Sequence, residues 1–159
     1  MEKINQIRNV SIWIFILPVA ALNLCLFVSV NYHLFENTIF VVDQVGRTGF
    51  TIPYIDGNVS ISRTARAYPT YLIFKPTMIF TAILLIKYWI ANNRLIGIVN
   101  NETNKNKYFL IFGVGSALFL IAHSIFLGIK FDYDLYKLFR RFVILGFIIF
   151  EIIAQALLV

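Results

Sequence analysis

Two stretches of this chain hold residues able to do chemistry, and they differ in kind. Glu151 and Gln155 stand four residues apart in the run FIIFEIIAQALLV, so a helix puts both on one side. An ionisable group in so apolar a run is costly and marks a functional site by default. His123 lies in the preceding apolar run. Counted from the segment between the runs, His123 and Glu151 differ in depth by only about 5 Å, so an antiparallel pair can bring them together. Such a pair reads as a proton relay or as a polar seat for a lipid headgroup. It also reads as an interhelical hydrogen bond that holds a bundle, the commoner use of such residues, with Asn23 of the first apolar run joining it.

The second stretch is a polar island, residues 46–69, GRTGFTIPYIDGNVSISRTARAYP. Arg63 and Arg66 are three residues apart just before an apolar run, and a helix that starts early gives them a common face. Guanidinium forks grip phosphate bidentately, so a phospholipid headgroup or a phosphorylated ligand is their natural partner. The plainer reading is an interfacial anchor, paired with Asp56. Upstream, Val59 and Ile61 alternate with Ser60 and Ser62, the period of a half-buried strand. Asp56-Gly57 between two such runs signals a hairpin, and Pro53 confines its strand to an edge. Pro53, Tyr54, Asp56 and Gly57 are thus expected to shape a β-hairpin on the membrane surface; an irregular loop is the alternative.

These residues must be positioned by a membrane scaffold. The chain has 159 residues, of which 59% are hydrophobic and 14% charged, with a mean hydropathy of +0.77. A transmembrane helix needs ~20 mostly apolar residues. Four blocks qualify, at residues 10–30, 71–91, 108–129 and 142–159. The expected fold is an all-α integral membrane protein, one helical domain of four transmembrane helices, with an extramembrane loop at 31–70 between the first two. Polar connections are expected at 92–107 and 130–141. Pro18 falls inside the first span, where a kink is expected. Trp13, Tyr32, Tyr71, Tyr88, Trp89 and Tyr108 lie near block ends, as interfacial aromatics do. Gly113, Gly115 and Ser116 read as small residues that let helices approach closely. The fourth span runs to Val159 without a polar flank, an ending that fits a truncated chain or one followed by further helices.

The net charge of +6 is spread over the block ends, with no basic stripe of the kind a nucleic-acid binder shows. It reads as Lys and Arg anchored beside anionic headgroups. The Lys and Arg balance leans slightly against a cytoplasmic N-terminus. Cys25 is the only cysteine, so no intramolecular disulfide forms. The sequence has no Walker A pattern, GxSxG elbow or HExxH motif, and its two histidines and one cysteine make no metal constellation. No cofactor or metal is expected.

Pro53-Tyr54-Ile55-Asp56-Gly57, followed by Pro69 and by Phe74 at the entry to the second span, resembles the DRAM-like family, autophagy modulators and relatives acting in GPI-anchor lipid remodelling. The resemblance covers the first ninety residues and implies a non-cytosolic loop and a lipid-associated role. Arg63-Thr64-Ala65-Arg66-Ala67 before the second span is similar to the Arg-x-x-Arg-Ala of the glutathione-dependent MAPEG enzymes, which implies that Arg66 holds an anionic cosubstrate. The leading expectation is a non-enzymatic multi-pass protein that binds membrane lipids or a protein partner through the island. A small enzyme of lipid-soluble substrates and an accessory subunit of a larger membrane complex are the alternatives, and a homo-oligomer is also open.

Overall fold

The computed structural model describes residues 2–35, 38–39, 53–56, 61–99, 106–129 and 134–158. Its helices are α1 (Glu2–Val30), α2 (Pro53–Asp56), α3 (Ile61–Thr64), α4 (Tyr71–Val99), α5 (Asn106–Phe126) and α6 (Asp134–Leu158), with a 3-10 turn at Tyr32–Phe35 after α1. Four of them, α1, α4, α5 and α6, are long and apolar enough to cross a membrane. This is the architecture of a multi-pass membrane protein. Lipid offers no hydrogen bonds, so the backbone must satisfy itself inside each helix. Hydroxyls follow the same rule. Thr77 donates to the Ile73 carbonyl, Thr81 to Thr77 and Ser124 to Leu120, each one turn back.

The helices extend beyond the apolar blocks. α1 takes in the polar head of the chain and continues through Pro18; α4 continues through Pro76 to Val99. The polar loop expected from residue 92 therefore begins as helix, where Asn92 turns its amide back to the Tyr88 carbonyl. α6 starts at Asp134 and absorbs most of the expected connection. At the other boundary α5 stops at Phe126, short of the expected 129. Gly128 ends it with φ +87°, the left-handed backbone conformation that glycine adopts without strain.

The long helices pack in chain order, α1 on α4, α4 on α5 and α5 on α6, and α3 packs on α1. α1 and α6 share no comparable packing. The core runs along α4 and α5 through Phe74, Met78, Ala82, Leu85, Trp89, Phe109, Ala117 and Leu120. Trp89, expected at an interface, is fully buried instead, at 0% exposure. It fits because Gly113 has no side chain, and a Cβ there would lie 2.3 Å from the indole. The α5–α6 seam is a ladder of edge-on phenylalanines, Phe112 and Phe119 against Phe150, and Phe126 against Phe139. Gly115 and Gly146 give these rings room, Gly115 under Phe150 and Gly146 under Phe119. Gly113 and Gly115 thus give the close approach expected of them, and Gly146 of α6 adds to it.

The β-hairpin is not found. Among the described residues there is no strand, and Pro53–Asp56 and Ile61–Thr64 are single helical turns. Thr64 and Ala65, neighbours that a strand would point to opposite faces, are both buried, as the packing of α3 on α1 allows. Gly57 and the remainder of the expected hairpin lie outside the described residues.

Candidate functional site

The end of the polar island is built into the bundle. Thr64, Ala65 and Ala67 are buried, with Ala65 at 2% exposure, while Arg63 and Arg66 are exposed. Helical geometry explains the split. Backbone hydrogen bonds from Arg66 to Arg63 and from Ala67 to Thr64 extend the turn beyond α3, so residues three apart share a side. The buried side is pinned to its neighbours. The Thr70 hydroxyl reaches back to the Thr64 and Ala67 carbonyls, and the thiol of Cys25, itself 1% exposed, meets the Thr70 carbonyl at 3.5 Å. The Tyr68-Pro69 peptide is cis.

Arg66 is held at the turn between α5 and α6. Its Nε donates to the Ser62 carbonyl at 2.6 Å and one Nη reaches the Ser62 hydroxyl at 3.4 Å. Its stem lies beside Gly128, where an added Cβ would be 3.9 Å from the Arg66 Cγ. Partial burial, then the charge of Arg140, then that of Arg63 push the Arg66 guanidinium below its ordinary pKa. Arg140 comes from the first turns of α6 and stacks over Tyr136, 6.0 Å from the ring centroid. The Tyr136 hydroxyl donates to the Phe126 carbonyl at 2.7 Å and ties α6 to the end of α5. The Arg140 Nε is buried with no hydrogen-bond partner among the described residues. Lys75 adds a fourth cation, donating to the Ile125 carbonyl at 3.4 Å. None of these four side chains meets a carboxylate among the described residues. A cluster of like charges with an unfilled donor is an electrostatic seat for an anion.

Below this cluster a cavity of about 400 Å³ lies among all four long helices. Ile14 and Pro18 line it from α1, Phe74, Met78, Thr81 and Leu85 from α4, Leu120 and His123 from α5, and Ile144, Phe147 and Glu151 from α6. His123 and Glu151 therefore share one space, as their depths require, yet no hydrogen bond joins them. The Glu151 carboxylate instead accepts from Ser116 on α5 at 2.6 Å and from Gln155 at 3.0 Å. This is the interhelical hydrogen bond, with Ser116 as the partner across the seam. His123 has no hydrogen-bond partner among the described residues.

Asn23 does not join this group. Its amide donates to the Val19 carbonyl at 2.7 Å and its oxygen accepts from the Tyr54 hydroxyl at 2.8 Å. Tyr54 thus fastens the short α2 turn to α1 while its ring stays exposed. The side chains of Pro53 and Asp56 lie outside the described residues. Among the described residues no group of His, Cys, Asp and Glu is placed to hold a metal.

Arg140 and Ser116 are the site residues that the sequence did not single out. Arg140 lay among the basic residues of a connection, and only the knowledge that α6 begins at Asp134 puts it on the helix that bears Glu151. Ser116 was read only as small.

Comparison of the chain with protein-family models, with curated proteins and with solved structures gives no match. The side chains themselves must carry the functional reading.

Proposed function

We propose that this chain is a non-enzymatic multi-pass membrane protein that binds an anionic phospholipid headgroup through Arg63 and Arg66, with Arg140 completing the seat. The observation that carries the reading is the clustering of three guanidinium groups, from two parts of the chain, without a carboxylate among the described residues beside them. Arginine forks match phosphate oxygens bidentately, and their charge is worth more beside a low-dielectric bundle than in open water. The buried, unpartnered Arg140 Nε is a donor for which a phosphate oxygen is the natural acceptor. The DRAM-like resemblance of residues 53–74 points to the same lipid-associated role.

The test is binding in nanodiscs of phosphatidylcholine containing increasing phosphatidic acid. Replacing Arg63 and Arg66 together with Ala should weaken phosphatidic acid binding about tenfold or more, consistent with two charge-assisted hydrogen bonds of ~1.5–3 kcal/mol each measured against competing water. Unchanged binding refutes the reading. Saturable binding of glutathione by the parent protein, lost on Arg66→Ala, would replace it with the enzyme reading.

A further inference from the structure

α6 is unlike the other spans in the way it arranges its polar groups. At 100° per residue, Lys137, Arg140, Arg141, Glu151 and Gln155 fall within an arc of about 100°. Val143, Gly146 and Ala154, which are buried, lie on a different arc and face α5. A strip about 60° wide, bordering the buried arc and overlapping the polar one, holds Arg140, Ile144, Phe147 and Glu151, and the last three line the cavity. Arg140 stands at the head of the stripe that walls the cavity, about 16 Å along the helix from Glu151.

The space so formed is graded along its length. No arginine lines it, but past its His123 end stand Arg140, one turn before Ile144 on α6, and Arg66, beside Gly128. His123 comes next, five residues before Gly128 and so about 7 Å deeper than the contact between Gly128 and Arg66. Around and beneath His123 the walls are Ile14, Pro18, Met78, Leu120, Ile144 and Phe147, with Glu151, bonded to Ser116 and Gln155, among the lining. The volume of about 400 Å³ falls in the ~300–1,000 Å³ range of small-molecule sites. Cationic head, one imidazole free to donate or accept, and apolar depth follow the order of phosphate, glycerol ester and acyl chain in a phospholipid.

We propose that the cleft between α1 and α6 takes an acyl chain of the anionic lipid whose phosphate the arginines hold, with His123 at the level of the glycerol esters. The proposal rests on the headgroup reading above and adds the lipid's tail to it. It makes the protein a binder of a whole lipid molecule, selective for chain as well as headgroup. A headgroup site alone would bind a short-chain phosphatidic acid as well as a long-chain one; a headgroup-plus-cleft site does not.

The experiment compares dioleoyl and dibutyryl phosphatidic acid on the purified full chain by native mass spectrometry. Ile144→Trp, which fills the cleft from α6, should weaken dioleoyl binding about tenfold and leave dibutyryl binding unchanged. Equal effects on both probes, or none on either, would overturn the cleft assignment. A second measurement on the parent protein does not depend on that variant folding. Phosphatidic acid carrying a diazirine in its acyl chain should label α1 near Ile14 and Pro18 and α6 near Ile144 and Phe147. Labelling confined to the outward residues Phe142, Leu145 and Ile149 would also overturn it. Arg63→Ala with Arg66→Ala separates the two readings: unchanged dibutyryl binding sinks the headgroup reading, whereas the chain-length difference and the labelling pattern report on the cleft.

Discussion

Gly113→Ala is a one-carbon change whose cost can be worked from the geometry. The added Cβ would lie 2.3 Å from the Trp89 Cδ2, 2.4 Å from Cγ and 2.6 Å from Cε2. Carbon atoms pack best at ~3.5–4.0 Å, so the overlap exceeds an ångström. All three atoms belong to a rigid ring, and the ring cannot step aside. It is fully buried, with Tyr88 edge-on at 5.2 Å and Phe109 at 6.1 Å between centroids. α4 and α5 must therefore part locally, and overpacking of this kind costs ~1–3 kcal/mol. Gly97→Ala supplies the control, because nothing lies within 4 Å of the Cβ it would add. There, replacing a helical glycine should stabilise by ~0.5–1 kcal/mol. Titration of the folded protein in mixed micelles with dodecyl sulfate, followed by circular dichroism, reads both changes. Opposite signs are expected. If Gly113→Ala falls within about 0.5 kcal/mol of the parent, the range typical of neutral surface changes, Trp89 does not occupy the space that Gly113 leaves.

Ser116→Ala removes the group on α5 that donates to Glu151, and the same titration should show a loss of ~0.6–1.7 kcal/mol, the span measured for hydrogen bonds between membrane helices. Glu151→Gln combined with it should cost less than the two single changes added, since they share one interaction. The Cys25 thiol, shut in against Thr70, should resist N-ethylmaleimide in the folded protein and react on denaturation; prompt labelling would mean that residues 61–70 are not docked on α1. Tyr54→Phe removes the hydroxyl that reaches Asn23, and limited proteolysis should cut near α2 several times faster while the melting of the helical bundle stays within about 0.5 kcal/mol of the parent.

The spans were legible because lipid imposes a length and a composition that soluble folds do not. Their ends were not, since hydropathy marks where the hydrocarbon stops and a helix need not stop there. Asn92, polar and so assigned to a loop, lies within α4, its side-chain amide bonded back to the Tyr88 carbonyl one turn earlier. The shared space of His123 and Glu151 could be read from residue counts, because depth in an antiparallel pair is simple arithmetic. Their true partners could not, because these depend on rotation about each helix axis. That rotation is fixed by contacts such as Gly113 under Trp89 and Gly146 under Phe119. In the island, the described residues form single helical turns, and the burial of both Thr64 and Ala65 depends on α1, a partner remote in sequence that no local period can show.

The four long helices pack in chain order, and α1 and α6, at the two ends of that order, share no comparable packing. On the cleft reading, the space they flank is entered from the hydrocarbon and not from water. A molecule that enters it is already dissolved in the membrane, so its chemical potential follows its mole fraction in the leaflet and not its concentration in water. Diluting protein and bilayer together in buffer should then leave occupancy where it was. Adding neutral lipid, at the same amount of ligand, should empty the cleft.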